Sequence, residues 1–464
     1  MAGRKLLVAS NRGPVSLSRG EDGSVEVKRG GGGLVSALRD ALGPADGLWV
    51  CAALNDLERE HPDVDAGDVA VRMLPIGAET FGPAYNDIAN STLWFVNHLL
   101  FDMPTEPVFD AAWRARWDAY VRYNREFAAA LAEEAAEGAR VAVQDYHLFL
   151  VPRLLRQRRP DLRITHFTHT PWAPPEYFDV LPTDIARSIL DGLLGADHLG
   201  FHTGRWAQAF LECCGRHLDA DISDGVVSYR GRTSWVGVHP LGTDADALRR
   251  RAAEPDVEEH LARIRAGAGG RRIIARVDRT ELSKNIARGF HAVRELVRTY
   301  PETRDEVTHL AVAYPSRQDV PAYVDYTERV GRLAEEIGAE CGPEVLRMVV
   351  RNDYAESLAV LRAADVLLVN PIRDGMNLVA KEGMLLGDAP ALVLSTQAGA
   401  AEAMAADALL VNPYDVTQTA EALHAALTMP AAERRDRATR LAAVAAANPP
   451  AEWFAAQLAF LDSL

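Results

Sequence analysis

A chain of 464 residues is too long for one ordinary hydrophobic core, and 48% hydrophobic against 25% charged residues is the composition of a soluble globular protein, most naturally of two domains. Its 50 Lys and Arg against 65 Asp and Glu leave a formal net charge of −15, with no basic block, which argues against nucleic acid and against an anionic membrane surface as partners. An anionic substrate therefore needs a local cluster of cations working against the overall field.

The four cysteines, Cys51, Cys213, Cys214 and Cys341, form no C-x-x-C pair and are too few for a disulfide scaffold. Residues 1–10 hold one short apolar run and no signal-peptide core, and no apolar stretch approaches the length that spans a bilayer. The expectation is a cytoplasmic protein.

Short apolar runs alternate with helical patterns almost throughout, the signature of parallel α/β sheets. In the first half, strands are predicted at 6–10, 48–52, 69–74, 141–144, 164–167 and 198–201, and helices at 34–42, 111–136, 149–157, 184–194 and 205–217. Val15-Ser16-Leu17-Ser18 and Val25-Glu26-Val27-Lys28 alternate about residues 20–23, so a surface hairpin follows the first strand. The rhythm resumes with strands at 273–277, 309–313, 346–350, 365–369, 391–394 and 409–411. A hinge near Gly242 divides the chain into domains 1–242 and 243–445, and a helix in 446–464 is expected to pack back on the N-terminal domain. Two doubly wound domains bind their ligands at the carboxyl ends of their strands, with a cleft between them as the expected site.

The first strand ends in Ser10-Asn11-Arg12-Gly13-Pro14, and Gly30-Gly31-Gly32-Gly33 precedes the next helix. Glycines at a helix start can bring backbone N–H groups against a phosphate, with Arg12 as a fork beside them; a flexible hairpin closure beside a solvated arginine is the equal alternative. The spacing does not fit the dinucleotide pattern G-x-G-x-x-G, which sets aside a nicotinamide dehydrogenase, and no Gly-Lys pair exists for a P-loop. Val143-Gln144-Asp145-Tyr146-His147 and Thr165-His166-Phe167-Thr168-His169 put a carboxylate and imidazoles at neighbouring strand ends. A metal site from His166 and His169 fails, because residues three apart on a strand face opposite sides.

In the second half, Arg279 and Lys284 bracket a strand-to-helix loop. Arg as a bidentate fork and Lys as a point charge can neutralise a diphosphate leaving group there, and Ser316-Arg317 supplies another strand-end cation. The run Val366-Leu367-Leu368-Val369 leads to Arg373-Asp374-Gly375-Met376-Asn377-Leu378-Val379-Ala380-Lys381-Glu382, with a helix predicted from Leu378. Such a turn offers N–H groups to an anion, Gly375 permits close approach, and Glu382 shares a helix face with Leu378; read alone, these are also ordinary capping residues.

Ser10-Asn11-Arg12, the glycine run, Tyr85, Leu93-Trp94, Asp145-Tyr146-His147, His169 before Pro171, Arg279 with Lys284, Ser316-Arg317, residues 373–382 and Val411-Asn412-Pro413-Tyr414-Asp415 occur in that order. Together they resemble the trehalose-6-phosphate synthase family, retaining glycosyltransferases (family 20) of the GT-B fold, in which two Rossmann-like parallel-sheet domains face each other across a deep cleft. The resemblance implies transfer of glucose from a nucleoside diphosphate glucose (UDP- or GDP-glucose) to glucose 6-phosphate, by front-face attack with the leaving phosphate taking the acceptor's proton.

By the same resemblance, Arg279 and Lys284 hold the diphosphate, Glu382 the ribose, and Leu378 gives a backbone contact. Asp374, Gly375, Met376 and Asn377 line the donor glucose, His169 lies on its other side, and Gly32 and Gly33 face the donor phosphates. His169, Arg279, Lys284 and Asp374 form the catalytic set, and Arg12, Tyr85, Trp94, Asp145 and Arg317 hold the acceptor. No metal and no cofactor is implied beyond the nucleotide-sugar co-substrate; a homo-oligomer is left open. The chain departs from the family pattern at Val50-Cys51-Ala52, at Thr170-Pro171-Trp172 and at Glu281-Leu282-Ser283-Lys284-Asn285. These departures keep two alternatives open: a pseudo-glycosyltransferase joining a nucleotide-linked cyclitol to an aminocyclitol phosphate, and a non-catalytic sugar-phosphate sensor.

Overall fold

The structure, a computed structural model, describes residues 3–464 apart from Glu21, residues 30–32 and Asp68. The chain divides into two units, Met1–Leu241 with Pro450–Leu464, and Gly242–Pro449. No helix among the described residues is long and apolar enough to cross a membrane.

The first unit contains β1 (Arg4–Ala9), β2 (Val15–Arg19), β3 (Val25–Arg29), β4 (Leu48–Ala52), β5 (Asp63–Asp65), β6 (Ala70–Leu74), β7 (Ala135–Gln144), β8 (Arg163–Thr168), β9 (His198–Phe201), β10 (Asp221–Ser223), β11 (Val226–Tyr229) and β12 (Arg232–Val238). β1 is buried on both faces from Leu6 to Ala9, as a central parallel strand covered by helices requires. Among the described residues the sheet order is β10-β11-β12-β9-β8-β7-β1-β4-β6-β5, parallel except where β5, β10 and β11 pair at its edges. The parallel strands therefore run outward in chain order in both directions from β1, and the reversal lies between β1 and β7. β2 and β3 form the hairpin expected after the first strand.

The second unit contains β13 (Arg272–Arg279), β14 (Val307–Tyr314), β15 (Leu346–Val349), β16 (Val366–Val369), β17 (Ala391–Ser395) and β18 (Leu409–Val411), all parallel in the order β15-β14-β13-β16-β17-β18. The reversal here lies between β13 and β16. Side chains alternate faces: Ile273, Ala275 and Val277 enter one core, which helix Leu378–Leu386 covers with Ala380 and Met384. Ile274 enters the other, covered by Ile286, Phe290 and Val293 of helix Ile286–Thr299. Each fully buried side chain of this size contributes roughly 1.5–3 kcal/mol, so the two loops leading into these helices are held by substantial apolar burial.

Three elements differ from the sequence reading. Helix Ala111–Glu134 passes directly into β7, which begins at Ala135, where the alanine-rich composition suggested helix to 136. The segment 221–238 folds as two successive tight hairpins at Asp224-Gly225 and Arg230-Gly231, every one of these residues having positive φ (50°, 77°, 51° and 73°), the geometry of type I′ turns. Residues Pro83–Leu93 wind as a π-helix between helices Ala78–Gly82 and Trp94–His98, an uncommon winding that no period-3.6 pattern announces. The last helix, Pro450–Ser463, belongs to the first unit: Trp453 Nε1 donates to the His239 carbonyl at 3.1 Å, and its ring meets Phe167 at 4.7 Å.

Candidate active site

Each unit gathers polar residues on the two loops that flank its strand-order reversal. In the first unit the loop after β1 is braced on both sides of Arg12. Ser10 Oγ accepts from Trp49 Nε1 at 2.8 Å and donates to the Arg12 carbonyl at 2.6 Å, while buried Asn11 accepts from Tyr123 OH at 2.6 Å. The exposed Arg12 side chain brings Nη2 to 3.5 Å from Tyr85 OH, and the Tyr85 ring stacks on His147 at 5.6 Å. Tyr85 sits in the π-wound segment, and Trp94 follows it, buried against Tyr146 at 5.6 Å.

The loop after β7 turns at Asp145, whose φ of 70° is unusual for a side chain other than glycine. Its N–H donates to the Phe167 carbonyl at 2.7 Å and its Oδ1 accepts from the His169 N–H at 3.2 Å, tying the ends of β7 and β8 together. His169 Nε2 lies 3.0 Å from the Gln144 side-chain amide. Burial draws the His169 pKa down to about 3, so the ring is neutral at ordinary pH. The sequence reading names Gln144 at this strand end but gives it no role; its position at the apolar end of β7 was the signal for one.

In the second unit, Lys284 Nζ lies 2.6 Å from Asp374 Oδ2, joining the loops after β13 and β16. Burial opposes the Lys284 charge, but Asp374 and Asp278 outweigh it and hold its pKa above the ordinary value. Asp374 Oδ2 also accepts from Asn377 Nδ2 at 3.1 Å, and Asn377, at φ 72°, caps helix Leu378–Leu386 by accepting from the Ala380 N–H at 3.1 Å. Residues 374–377 are stitched to 397–400: Asp374 N–H donates to the Gln397 carbonyl at 3.2 Å, and Ala400 N–H donates to the Met376 carbonyl at 2.7 Å. A Cβ at Gly399 would stand 1.9 Å from the Gly375 carbonyl, so the approach of these loops requires glycine there. Glu382, one turn into the helix, is pushed up to about 7 by burial.

Arg279 is half-exposed, with Nε 3.1 Å from Glu281 Oε1. Glu281 is wholly buried, accepts from Ser316 Oγ at 3.2 Å, and lies 3.8 Å from Arg317 Nη1, which donates to Tyr323 OH at 2.6 Å. One carboxylate thus anchors both arginines, a role the sequence reading missed when it noted Glu281 only as a departure. Arg12, Tyr85, Trp94, Asp145 and His169 belong to the first unit; Arg279, Lys284, Arg317, Asp374, Gly375, Met376, Asn377, Leu378 and Glu382 belong to the second. Gly33 is the first residue of helix Gly33–Leu42, and Gly32 lies outside the described residues.

Two doubly wound units with cations and carboxylates at each reversal of strand order have the architecture of the GT-B class of glycosyltransferases. The model of glycosyltransferase family 20 matches residues 4–463, and the chain belongs to that family. It is 38% identical over 484 aligned residues to a trehalose-6-phosphate synthase of Mycobacterium avium, covering 99% of this chain and 95% of the relative. Among solved structures, one from E. coli bound with UDP-2-fluoro glucose superposes with a TM-score of 0.89 at 30% identity, covering 99% of both chains. An α,α-trehalose-phosphate synthase (UDP-forming) from Burkholderia xenovorans in complex with glucose-6-phosphate gives a TM-score of 0.86 at 27% identity, covering 99% of this chain and 100% of that one.

Proposed function

We infer that the chain is an α,α-trehalose-6-phosphate synthase that transfers glucose, with retention, from a nucleoside diphosphate glucose to glucose 6-phosphate. The observation that carries this reading is the pair of cations, Arg279 and Lys284, on the loop at the strand-order reversal of the second unit, where a doubly wound sheet receives a diphosphate. The bond from the anomeric carbon to the diphosphate oxygen breaks as the bond to the acceptor's anomeric oxygen forms on the same face. The departing phosphate oxygen takes the acceptor's hydroxyl proton, and Arg279 and Lys284 stabilise the charge that develops on it.

Asp374, Gly375, Met376 and Asn377 are assigned to the donor glucose, Leu378 and Glu382 to the nucleoside, and neutral His169 to the sugar as a hydrogen-bond partner. Gly32 and Gly33 are assigned to the donor phosphates, and Arg12, Tyr85, Trp94, Asp145 and Arg317 to glucose 6-phosphate. With two cations serving the leaving group, the reaction calls on no divalent ion or other cofactor, and EDTA should leave turnover unchanged. The free, buried state of Cys51, Cys213, Cys214 and Cys341 supports a cytoplasmic location. The deciding experiment is incubation with glucose 6-phosphate and UDP-, GDP- or ADP-glucose in turn. A disaccharide phosphate with retained configuration is expected from at least one donor; nucleotide binding without product from any of them would overturn the reading.

A further inference from the structure

β13 carries a charge where its neighbours are apolar. Arg276 is 0% exposed in the middle of Ile-Ile-Ala-Arg-Val, and its guanidinium makes three directed contacts. Nε donates to Asp278 Oδ2 at 2.9 Å, Nη1 to Asn370 Oδ1 at 2.7 Å, and Nη2 to the Lys284 carbonyl at 2.6 Å. Space for it exists because residue 289 is glycine: a Cβ there would come 2.3 Å from Arg276 Nη1. The next residue after Lys284 closes the network. Asn285 is buried at φ 59°, and its Nδ2 donates to the carbonyls of Asn370 at 2.9 Å and Pro413 at 2.7 Å, while its Oδ1 accepts from Arg288 Nη1 at 3.0 Å.

The four side chains of Arg276, Asp278, Asn285 and Asn370 therefore join the carboxyl ends of β13, β16 and β18, with Arg276 bonded to the Lys284 carbonyl and Asn285 fixing the residue that follows it. A second tie, from the Ile372 N–H to the Ser283 carbonyl at 2.8 Å, holds the same loop against the segment leading to Asp374. Breaking any of these contacts would leave a buried guanidinium nitrogen unpaired, at the cost of its desolvation, so the network holds the loop it bonds to. The geometry points to Arg276 and Asn285 as positioning residues for Lys284: neither needs to touch substrate, and together they set where the Lys284 ammonium stands when the diphosphate leaves. This rests on the leaving-group role given to Lys284 above.

The test is Asn285→Gly, which accepts the left-handed backbone without strain but removes three hydrogen bonds. Turnover is expected to fall on the order of 10- to 100-fold, the scale of a small misplacement, with the KM for glucose 6-phosphate within about twofold of wild type. Amide exchange read by mass spectrometry over residues 282–287 is expected to quicken by about tenfold or more, with the distant β1 strand unchanged. Asn285→Asp tolerates the same backbone but lacks the Nδ2 donor, and should resemble Asn285→Gly rather than wild type. Unchanged exchange over 282–287, or wild-type kcat in both variants, overturns the proposal. If the wild-type chain itself forms no product from any donor, the functional reading falls with it, while the exchange result still decides whether Asn285 holds the loop.

Discussion

Lys284 and Asp374 stand 2.6 Å apart across the strand-order reversal of the second unit, so the cation assigned to the donor diphosphate is paired with a carboxylate of the same site. An incoming diphosphate meets both the attraction of Lys284 and the repulsion of Asp374. Lys284→Ala should lower kcat on the order of a hundredfold, because a preorganised cation at a developing phosphate charge is worth a few kcal/mol. Asp374→Asn keeps the shape and removes the repulsion, so it should bind UDP at least as tightly as wild type while losing turnover. Steady-state kinetics with UDP calorimetry checks both; full activity of Lys284→Ala would remove it from the leaving-group site.

Glu382 gives a pH dependence of definite sign. Burial raises its folded pKa to about 7 from an ordinary 4.5, so between those values the folded protein binds a proton that the unfolded chain has released. This contribution to stability is fully present below pH 4.5 and is lost as pH rises through 7. Glu382→Gln, neutral at every pH, should therefore be more stable than wild type at pH 8 by about 1–3 kcal/mol, with the gap closing toward pH 5. Urea unfolding at the two pH values measures it, and a gap independent of pH would show that the carboxyl ionises as an exposed one does.

The loops after β1, β7, β13 and β16 were legible because each apolar run ends abruptly in charged or amide residues, and within each unit strand order sets its own pair of ends side by side, β1 with β7 and β13 with β16. What the sequence hid were side chains whose partners come from other strands. Glu281 read as a departure, yet it is the buried anchor of Arg279 and Arg317. Arg276 read as one more residue of a strand, since nothing local shows that Asn370 and the Lys284 carbonyl converge on it. The hairpins at 221–238 carry an Asp224-Gly225 signal that short strands and low apolar content obscured. The π-wound segment around Tyr85 follows from packing and backbone bonding that no spacing rule encodes.

Four histidines make the fold sensitive to acid. Burial draws His166, His169, His198 and His309 each down to about 3, from an ordinary 6.5. Below pH 6.5 the unfolded chain takes up protons that the folded chain refuses until about pH 3, so this stability is present above 6.5 and is lost as pH falls. At pH 5 each ring should cost about 2 kcal/mol relative to pH 7.5. His309 lies outside the proposed site, with Nδ1 2.8 Å from the Ile274 carbonyl, so His309→Gln should narrow the stability difference between pH 7.5 and 5 by about that amount. The same neutrality predicts that His169 adds no inflection to the pH–rate profile between pH 6 and 8; an inflection lost in His169→Asn would show that the ring titrates there.

Arg12 and Arg317 are both assigned to the acceptor's phosphate, but their surroundings predict different phenotypes. Arg12 projects exposed from a braced backbone, with Nη2 3.5 Å from Tyr85 OH, a long contact whose loss disturbs little else. Arg12→Ala should raise the KM for glucose 6-phosphate about 10- to 100-fold, the worth of a charge-assisted contact, and leave UDP affinity unchanged. Arg317, at φ 51°, shares Glu281 with Arg279 and donates to Tyr323. Its removal frees part of the Glu281 charge to draw Arg279 inward, so Arg317→Ala should raise the acceptor's KM and also lower kcat. Glu281→Gln should lower kcat without that rise in KM, because it loosens Arg279 while leaving the Arg317–Tyr323 bond in place. An Arg317→Ala variant with unaltered KM would exclude it from the acceptor site, and one with altered KM but wild-type kcat would show that Glu281 does not couple the two arginines.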